Sequence, residues 1–391
     1  MLPQIALSVM QLGVPVLAPV LVADLGLAPE AVGVLGGCIG FGSVWMFAAN
    51  RAVTPVLGPR RSLMVACLLS VSGAALLLTG HMVAVLIGAV LIGFAYAITA
   101  PAGSQILSAH VPKEWWGTVF SIRQAGVPLG GAIAGIAGTA VALAFGWQMA
   151  VACLTVLPLL CVAILMAVPK IFDADRNGEM FRILELFRPT IIATPFQTLR
   201  ALPQLRALTF ASLGFAAVQG SVFSFFTTYM TDGLGLGLVF AGALFATMQI
   251  ASFAGRLSAG VLADYVGAFR PVLIAMSLAA AGSCLLMAIV DASWPLPVMF
   301  AVAALTGLAA ATWNGLFLAE IARVVAPGEV GSATAGTTFF TFIAYMFTPP
   351  AFALIVYFSS YQAAFLLVAC AALSAFGFLV FGHRQSIEHS G

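Results

Sequence analysis

Three ionisable residues lie within otherwise apolar stretches of the sequence, namely Arg123, Arg256 and Glu320. Placing a charged side chain at the centre of a membrane-spanning helix costs about 2.5–3.5 kcal/mol on insertion scales, so each needs a compensating role. The planar guanidinium group of arginine suits bidentate binding of a carboxylate. We therefore predict that Arg256 and Arg123 bind an anion. Two alternatives stay open: either arginine extends its charge to a membrane surface, or it pairs permanently with Asp264 or Glu320.

Arg256 belongs to a stripe of polar residues on an otherwise apolar segment. Gln249, Ser252 and Arg256 are spaced at i, i+3 and i+7, which places them on one face of a helix. We therefore include Gln249 among the predicted binding residues. Glu320 similarly shares a helix face with Trp313, close to the end of its apolar stretch. Its predicted role is a gate that pairs with Arg123, and the alternative is a helix-end carboxylate that faces water.

Uncharged polar residues are concentrated in the first and fourth apolar segments of each half of the chain. Polar groups inside a bilayer must face protein or a water-filled path. As a set they favour a small cavity with aromatic walls, whereas hydrogen bonding between helices is the alternative for any single residue. Tyr96 and Trp313 are the strongest candidates because their side chains are amphipathic and occupy corresponding regions of two repeats. The set comprises Gln11, Tyr96, Thr99, Gln105, Gln219, Tyr229, Trp313 and Asn314.

The cysteine and histidine positions exclude several kinds of chemistry. The six cysteines all fall in apolar runs without a CxxC pair or a Cys/His cluster, so zinc, haem and redox sites are not predicted. The four histidines lie in loops or at segment ends, and no nucleophile–base pair occurs within an apolar segment. We therefore predict neither an enzyme nor a bound cofactor.

The composition indicates that these residues lie in a lipid bilayer. Of 391 residues, 62% are hydrophobic and only 7% are charged, and the mean hydropathy is +1.12. These values exclude a soluble globular protein, a nucleic-acid binder and a disordered chain. A membrane-spanning helix needs about 20 apolar residues. The sequence divides into twelve predicted spans, at 4–24, 31–50, 62–80, 82–108, 117–141, 148–168, 207–230, 236–259, 271–290, 296–321, 331–357 and 362–382.

The basic residues alternate strictly with these spans. Apart from the two arginines inside spans, every Lys and Arg follows an even-numbered span, whereas the loops after odd-numbered spans carry only acidic charges. This positive-inside pattern places both termini in the cytoplasm. The only long loop predicts three parts: a first bundle of six helices over 1–169, a cytoplasmic linker over 170–206 and a second bundle of six helices over 207–391. The later part of the linker is either an amphipathic helix on the inner leaflet or a plain connection.

The two halves contain a repeated glycine spacing. Gly93 and Gly117 bracket one stretch, and Gly307 and Gly331 bracket another with the same separation. Two parallel repeats of six helices are the layout of a large class of secondary transporters. The fold class is therefore predicted as an all-α membrane protein with twelve transmembrane helices in two pseudo-symmetric bundles.

The chain resembles the major facilitator superfamily over essentially its whole length, and the loop after span eight carries the clearest motif. The family signature there is Gly-x-x-x-Asp-(basic)-x-Gly-(basic)-(basic), and Gly260, Asp264 and Gly267 match it. The equivalent loop after span two contains Gly58, Arg60 and Arg61 at matching positions, but Pro55 replaces the Asp. The resemblance implies that both loops gate conformational change, with Asp264 facing the start of span five. The alternative for either loop is a simple cytoplasmic turn.

The resemblance also implies a mechanism and a range of substrates. In this family spans five and eight meet across a central pathway, which would bring Arg123 and Arg256 to one cavity. Carriers of monocarboxylates and oxalate in the family use an Arg in span eight, and the whole chain is similar to carriers of small anions, including cyanate-permease-like members. We predict alternating-access transport of a small organic anion in a bacterial inner membrane, coupled to a proton or a counter-anion.

The alternative is an exporter of small amphipathic metabolites or drugs. The glycine-rich span five, with Gly126, Gly130 and Gly131, is similar to a motif of the family's antiporter branch, although the spacing differs. Against this alternative, Ala89 stands where the drug antiporters have an Arg. The predicted partners are a small-molecule substrate and the lipid bilayer, without nucleic acid, and a monomer suffices for this architecture.

Overall fold

The computed structural model describes residues 1–49, 53–110, 122–173, 182–188, 190–266, 269–325 and 330–381. Within these ranges the regular structure is helical, and twelve segments are long and apolar enough to cross a membrane. The predicted all-α fold with twelve spans is therefore confirmed. Long apolar runs form helices because lipid offers no hydrogen-bond partner to the backbone, so each segment must satisfy its own N–H and C=O groups.

The first six spans follow the predicted boundaries to within a few residues where they are described. Span five is interrupted: α-helices on either side flank one π-helical turn. The observed helices of this half are Leu2–Asp24, Ala31–Ala49, Pro59–Leu77, Met82–His110, the three consecutive pieces Gly126–Ile133, Ala134–Gly138 and Thr139–Phe145, and Trp147–Ala167.

The last six spans contain a second interruption, which the sequence did not predict. Span ten stops at Ala310 and resumes at Trp313. Span seven ends in a π-helical turn. The observed helices of this half are Arg206–Thr228 with Tyr229–Gly233, Leu238–Val266, Phe269–Ile289, Leu296–Ala310 and Trp313–Val324, Val330–Phe358, and Tyr361–Phe381.

The π-helical turn of span five lies directly against span eight. A methyl group on Gly135 would come within 2.7 Å of the carbonyl oxygen of Gly242, so the two backbones touch. One turn earlier, a methyl group on Gly131 would lie 2.7 Å from Cδ of Gln249. Small residues permit this close approach of two membrane helices. The glycine-rich stretch of span five therefore forms part of the contact between the halves.

One apolar core belongs to both halves. It includes Leu17 and Leu21 from the later part of span one, Phe226 from span seven and Phe245 from span eight. These side chains are fully buried. The halves are therefore packed together at the end of the molecule where span one finishes.

At the opposite end each half has its own core. Cys67 and Ile98 belong to the core of the first half, whereas Phe215, Trp313 and Ile321 belong to the core of the second half. Spans two and eleven still meet there, since the ring centroids of Phe47 and Phe342 are 4.5 Å apart. The buried cores nevertheless remain separate, as expected where a cleft opens between two bundles.

The segment between the halves contains a helix over Thr190–Ala201. The indole nitrogen of Trp45 in span two donates to the carbonyl of Leu186, at 2.9 Å. Phe196 packs its ring against Phe339 and Phe340 of span eleven, with centroids 6.2 and 5.0 Å away. The connecting segment is thus held against one helix from each half.

Candidate functional site

Arg256 joins the interruption of span ten to span five. Its Nε donates to the carbonyl oxygen of Ala311 at 3.1 Å, and its Nη1 donates to the carbonyl oxygen of Gln124 at 3.2 Å. A helix end leaves carbonyl groups without intrahelical partners, and Ala311 stands at such an end. Arg256 therefore stabilises the break in its own half while it also contacts the other half.

Arg123 binds the backbone of span four in a similar way. Its Nη1 donates to the carbonyl oxygens of Ala100 and Thr99, at 2.9 and 3.3 Å. Both carbonyls belong to the two residues immediately before Pro101, which lies inside the helix and cannot donate a backbone hydrogen bond. A methyl group on Gly103 would lie 2.6 Å from Nη1, so the guanidinium occupies the space that a side chain would fill. Arg123 is 8% exposed.

The two predicted anion-binding arginines have one neighbour in common. Tyr96 of span four lies within electrostatic range of both Arg123 and Arg256. Tyr345 of span eleven lies within range of Arg256 and was not predicted from the sequence. Among the described side chains, no carboxylate forms an ion pair with Arg256. Its two carbonyl partners carry no net charge, so this site retains positive charge that can attract an anion.

Gln219, Trp313 and Asn314 form a separate hydrogen-bonded group within the second half. The amide oxygen of Gln219 accepts from the indole Nε1 of Trp313 at 3.0 Å and from Nδ2 of Asn314 at 3.1 Å. Trp313 is 0% exposed, and its ring stacks on Phe215 with a centroid distance of 5.1 Å. The structure brings these three predicted residues together, and the contacts match the alternative of interhelical hydrogen bonding.

Gln249 is fully buried between spans five and eight, against Gly131. Neither its amide oxygen nor its amide nitrogen has a hydrogen-bond partner among the described residues, and the same holds for the Ser252 hydroxyl. A buried polar group without a partner costs about 1–3 kcal/mol. The polar stripe predicted on span eight thus ends at the contact between the halves.

Glu320 lies in the helix that follows the interruption of span ten. It is 2% exposed, which argues against the alternative of a carboxylate facing water. The gate pairing of Glu320 with Arg123 remains a prediction.

The loop after span two contains an ion pair that the sequence analysis missed. Asp173, which follows span six, accepts from the backbone N–H groups of Arg60 and Arg61 at 2.9 and 3.3 Å. Its other oxygen lies 3.7 Å from each guanidinium group. The Arg60 side chain also donates to the carbonyls of Leu165 and Met166, at 2.8 and 3.1 Å. This carboxylate occupies the N-terminus of span three, where the helix dipole favours negative charge.

Gly58 makes this arrangement possible. Its φ of +83° is a conformation that favours glycine, and an added methyl group would lie 2.5 Å from Oδ1 of Asp173. The corresponding loop after span eight is less completely described: Gly260 and Asp264 fall within the helix Leu238–Val266, but their side-chain environment and Gly267 lie outside the described residues. The gating role of both loops remains a prediction.

Matched carboxylate–aromatic contacts occur at the other end of each half. Asp24, at the end of span one, accepts from the indole nitrogen of Trp147, the first residue of span six, at 2.9 Å. Asp232, at the end of span seven, accepts from the hydroxyl of Tyr361, the first residue of span twelve, at 2.9 Å. The same pair of helices is thus tied together in both repeats.

Comparison with known proteins agrees with this architecture. The family model described as Major Facilitator Superfamily matches residues 4–296. An uncharacterized MFS-type transporter of Mycobacterium tuberculosis, found in two strains, is 33% identical over 192 residues, which are 48% of this chain and 44% of the relative. The match thus spans less than half the length of that relative.

Solved structures share the fold over almost the whole chain. The nucleoside transporter NupG superposes with a TM-score of 0.74 at 16% identity, covering 97% of this chain and 98% of that one. A D-xylose-proton symporter superposes with a TM-score of 0.73 at 14% identity, covering 97% and 96%. At these identities the likeness concerns the fold alone. The family model, which covers most of the chain, identifies this protein as a member of the major facilitator superfamily.

Proposed function

We propose that this protein is a secondary transporter that moves a small organic anion, such as a monocarboxylate, across a bacterial inner membrane. Membership of this family indicates a transporter rather than an enzyme. The observation that carries the substrate class is Arg256, a guanidinium group between the halves whose contacts among the described side chains include no carboxylate. A carboxylate ligand would supply the missing negative charge through hydrogen bonds roughly twice as strong as those to a neutral acceptor.

Transport requires that an anion reach Arg256 from one side of the membrane and leave on the other, and the arrangement of the apolar cores supports such alternating access. The shared apolar core joins the halves at one end, whereas the cores are separate at the other. With both termini in the cytoplasm, as the charge pattern predicts, the separate cores lie on the cytoplasmic side. Rocking of the halves about the site would reverse this arrangement.

Uptake into proteoliposomes tests the proposal directly. Labelled monocarboxylates are compared with neutral amphiphiles for the wild type, Arg256→Gln and the matched control Arg206→Gln. Arg206 is exposed at the start of span seven and donates to the carbonyl of Leu199. We expect Arg256→Gln to reduce monocarboxylate uptake by about tenfold or more, since a hydrogen bond to a charged group contributes about 1.5–3 kcal/mol. The control should transport at the wild-type rate.

Two outcomes would contradict the anion assignment. One is unchanged monocarboxylate uptake by a folded Arg256→Gln variant, which would make the arginine a structural support for span ten. The other is transport of neutral amphiphiles only, which would favour the exporter alternative.

A further inference from the structure

A cavity of about 320 Å³ lies between the ends of spans one and seven, where the halves are packed together. The first half contributes Val20 and Leu27 to its wall, and the second half contributes Leu236 and Leu238. We call it the closed-end cavity. The described residues that line it include neither Arg256 nor a residue that accepts a hydrogen bond from Arg256. It is therefore separate from the candidate substrate site.

The polar wall of the closed-end cavity is negatively charged. It is formed by Thr228, Thr231 and Asp232. The carboxylate of Asp232 accepts from the uncharged hydroxyl of Tyr361, and within the described part of the chain it forms no ion pair with a Lys or Arg. Glu30 lies within electrostatic range of the same tyrosine. Since the loops on this side of the membrane contain no Lys or Arg, the negative charge is not neutralised, and it attracts a cation.

Thr228 supplies an independent indication of a ligand. It is 1% exposed and lines the cavity, and its hydroxyl has no hydrogen-bond partner among the described residues. Three residues later, the Thr231 hydroxyl donates to the carbonyls of Thr227 and Thr228, at 3.1 and 3.3 Å. Buried hydroxyl groups normally have such a partner. A ligand that donates a hydrogen bond would provide one for Thr228, because a hydroxyl oxygen also accepts.

We propose that the closed-end cavity binds a small amphipathic monocation, with a primary ammonium head and a compact apolar body. Thr228 and Asp232 are four residues apart at the end of span seven and share a helix face, so one ammonium can donate to both. The apolar body packs against Val20, Leu27 and Leu236. A volume of 320 Å³ equals about eleven water molecules at ~30 Å³ each, which accommodates a ligand of roughly the size of 2-phenylethylammonium. The proposal goes beyond the transport function and does not rest on it.

Two probes with the same apolar body test the need for a positive charge. Calorimetry compares 2-phenylethylammonium with 2-phenylethanol on the purified full chain, and titration into detergent alone is subtracted. We expect the alcohol to bind about fivefold more weakly, as for the loss of an ion pair that solvent reaches, because Asp232 is exposed. Raising the NaCl concentration about tenfold should weaken binding of the ammonium and leave that of the alcohol unchanged.

Two variants and a matched control locate the site. Asp232→Asn removes the charge but keeps an acceptor for Tyr361, and it should lower the affinity for the ammonium about fivefold and abolish its salt dependence. Thr228→Val removes a hydroxyl that has no partner in the free protein, so the variant should fold normally while its affinity falls about twofold to tenfold. The control Asp291→Asn removes a charge after span nine that does not line the cavity, and it should bind like the wild type.

Wild-type affinity in both Asp232→Asn and Thr228→Val would overturn the proposal, as would equal binding of the two probes. A loss in Asp291→Asn as large as that in Asp232→Asn would also overturn it, because the effect would then come from surface charge in general. These measurements do not depend on anion uptake, so this proposal and the transport proposal fail separately.

Photolabelling of the wild type with 2-(4-azidophenyl)ethylammonium keeps the test valid if a variant does not fold. Label on peptides containing Leu27 or Leu236 supports the site, and label confined to other peptides refutes it. Tighter binding of dihexanoylphosphatidylethanolamine than of 2-phenylethylammonium, weakened by Asp232→Asn in the same way, would support the site and identify a lipid headgroup as the source of the ammonium.

Discussion

Replacing Gln219 by leucine should separate a structural role for the Gln219–Trp313–Asn314 group from a role in substrate binding. The substitution puts an apolar side chain of similar size in place of the amide and so removes the acceptor for two N–H groups. Trp313 is fully buried, so its indole N–H would lose its partner at a cost of about 1–3 kcal/mol. Asn314 is half-buried, and its lost bond adds about 0.5–1.5 kcal/mol. The expected loss of folding free energy is about 2–4 kcal/mol.

A double-mutant cycle with Trp313→Phe makes this expectation sharper. Phenylalanine retains a ring that can stack on Phe215 but has no N–H group. Trp313→Phe alone should cost about 0.5–1.5 kcal/mol for the lost hydrogen bond, and the cavity left by the smaller buried ring adds to that cost. In the double variant Gln219→Leu/Trp313→Phe no indole N–H is left unpaired, so the two losses should be less than additive by about 1–2 kcal/mol.

Reversible unfolding in mixed detergent micelles measures the four free energies, and proteoliposome uptake measures the KM of the folded protein. If the group is structural, Gln219→Leu lowers stability and leaves the KM for the transported anion within about twofold of the wild type. A variant as stable as the wild type but with a KM raised at least about tenfold would refute this reasoning and return Gln219 to the substrate site.

Three further changes test other contacts. Asp173→Asn removes the charge that faces Arg60, and it should lower the unfolding free energy by about 1.5–3 kcal/mol in detergent titrations; equal stability would show that hydrogen bonds alone hold this turn. Gly131→Ala should destabilise by about 1–3 kcal/mol through overlap with Gln249, and adding Gln249→Ala should restore stability; if it does not, the overlap is absorbed elsewhere. Tyr361→Phe should cost about 1 kcal/mol in thermal unfolding assays, since its carboxylate partner is exposed to solvent, and no change at all would mean that water replaces the bond.

The twelve spans could be predicted because each depends on a local property, a run of apolar residues long enough to cross a bilayer. The interruption of span ten could not, because Ala311 and Thr312 carry no glycine or proline signal. That break is stabilised by Arg256, which is distant in the sequence. Backbone irregularities of this kind are set by tertiary contacts, which a single sequence does not display.

Only some residues of the candidate site could be selected from the sequence. Arg123, Arg256 and Tyr96 could be selected because charged and amphipathic residues are conspicuous in apolar segments. Asp173 could not be selected, since nothing near it in the sequence indicates that it pairs with Arg60 and Arg61. Its role appears only when the end of span six lies beside the start of span three.

Separation of the halves would affect the two hydrogen bonds of Arg256 differently. The bond from Nε to Ala311 lies within the second half, so it can persist while the halves move. The bond from Nη1 to Gln124 crosses between the halves and must break if span five moves away from span eight. A carboxylate is a stronger acceptor than a carbonyl oxygen, so an anion that reached Nη1 would compete directly with Gln124. Arg256 would then remain anchored at the break of span ten while it exchanged a protein partner for a ligand. Anion binding would thereby favour separation of these two helices, by no more than the difference between its affinities for the two states.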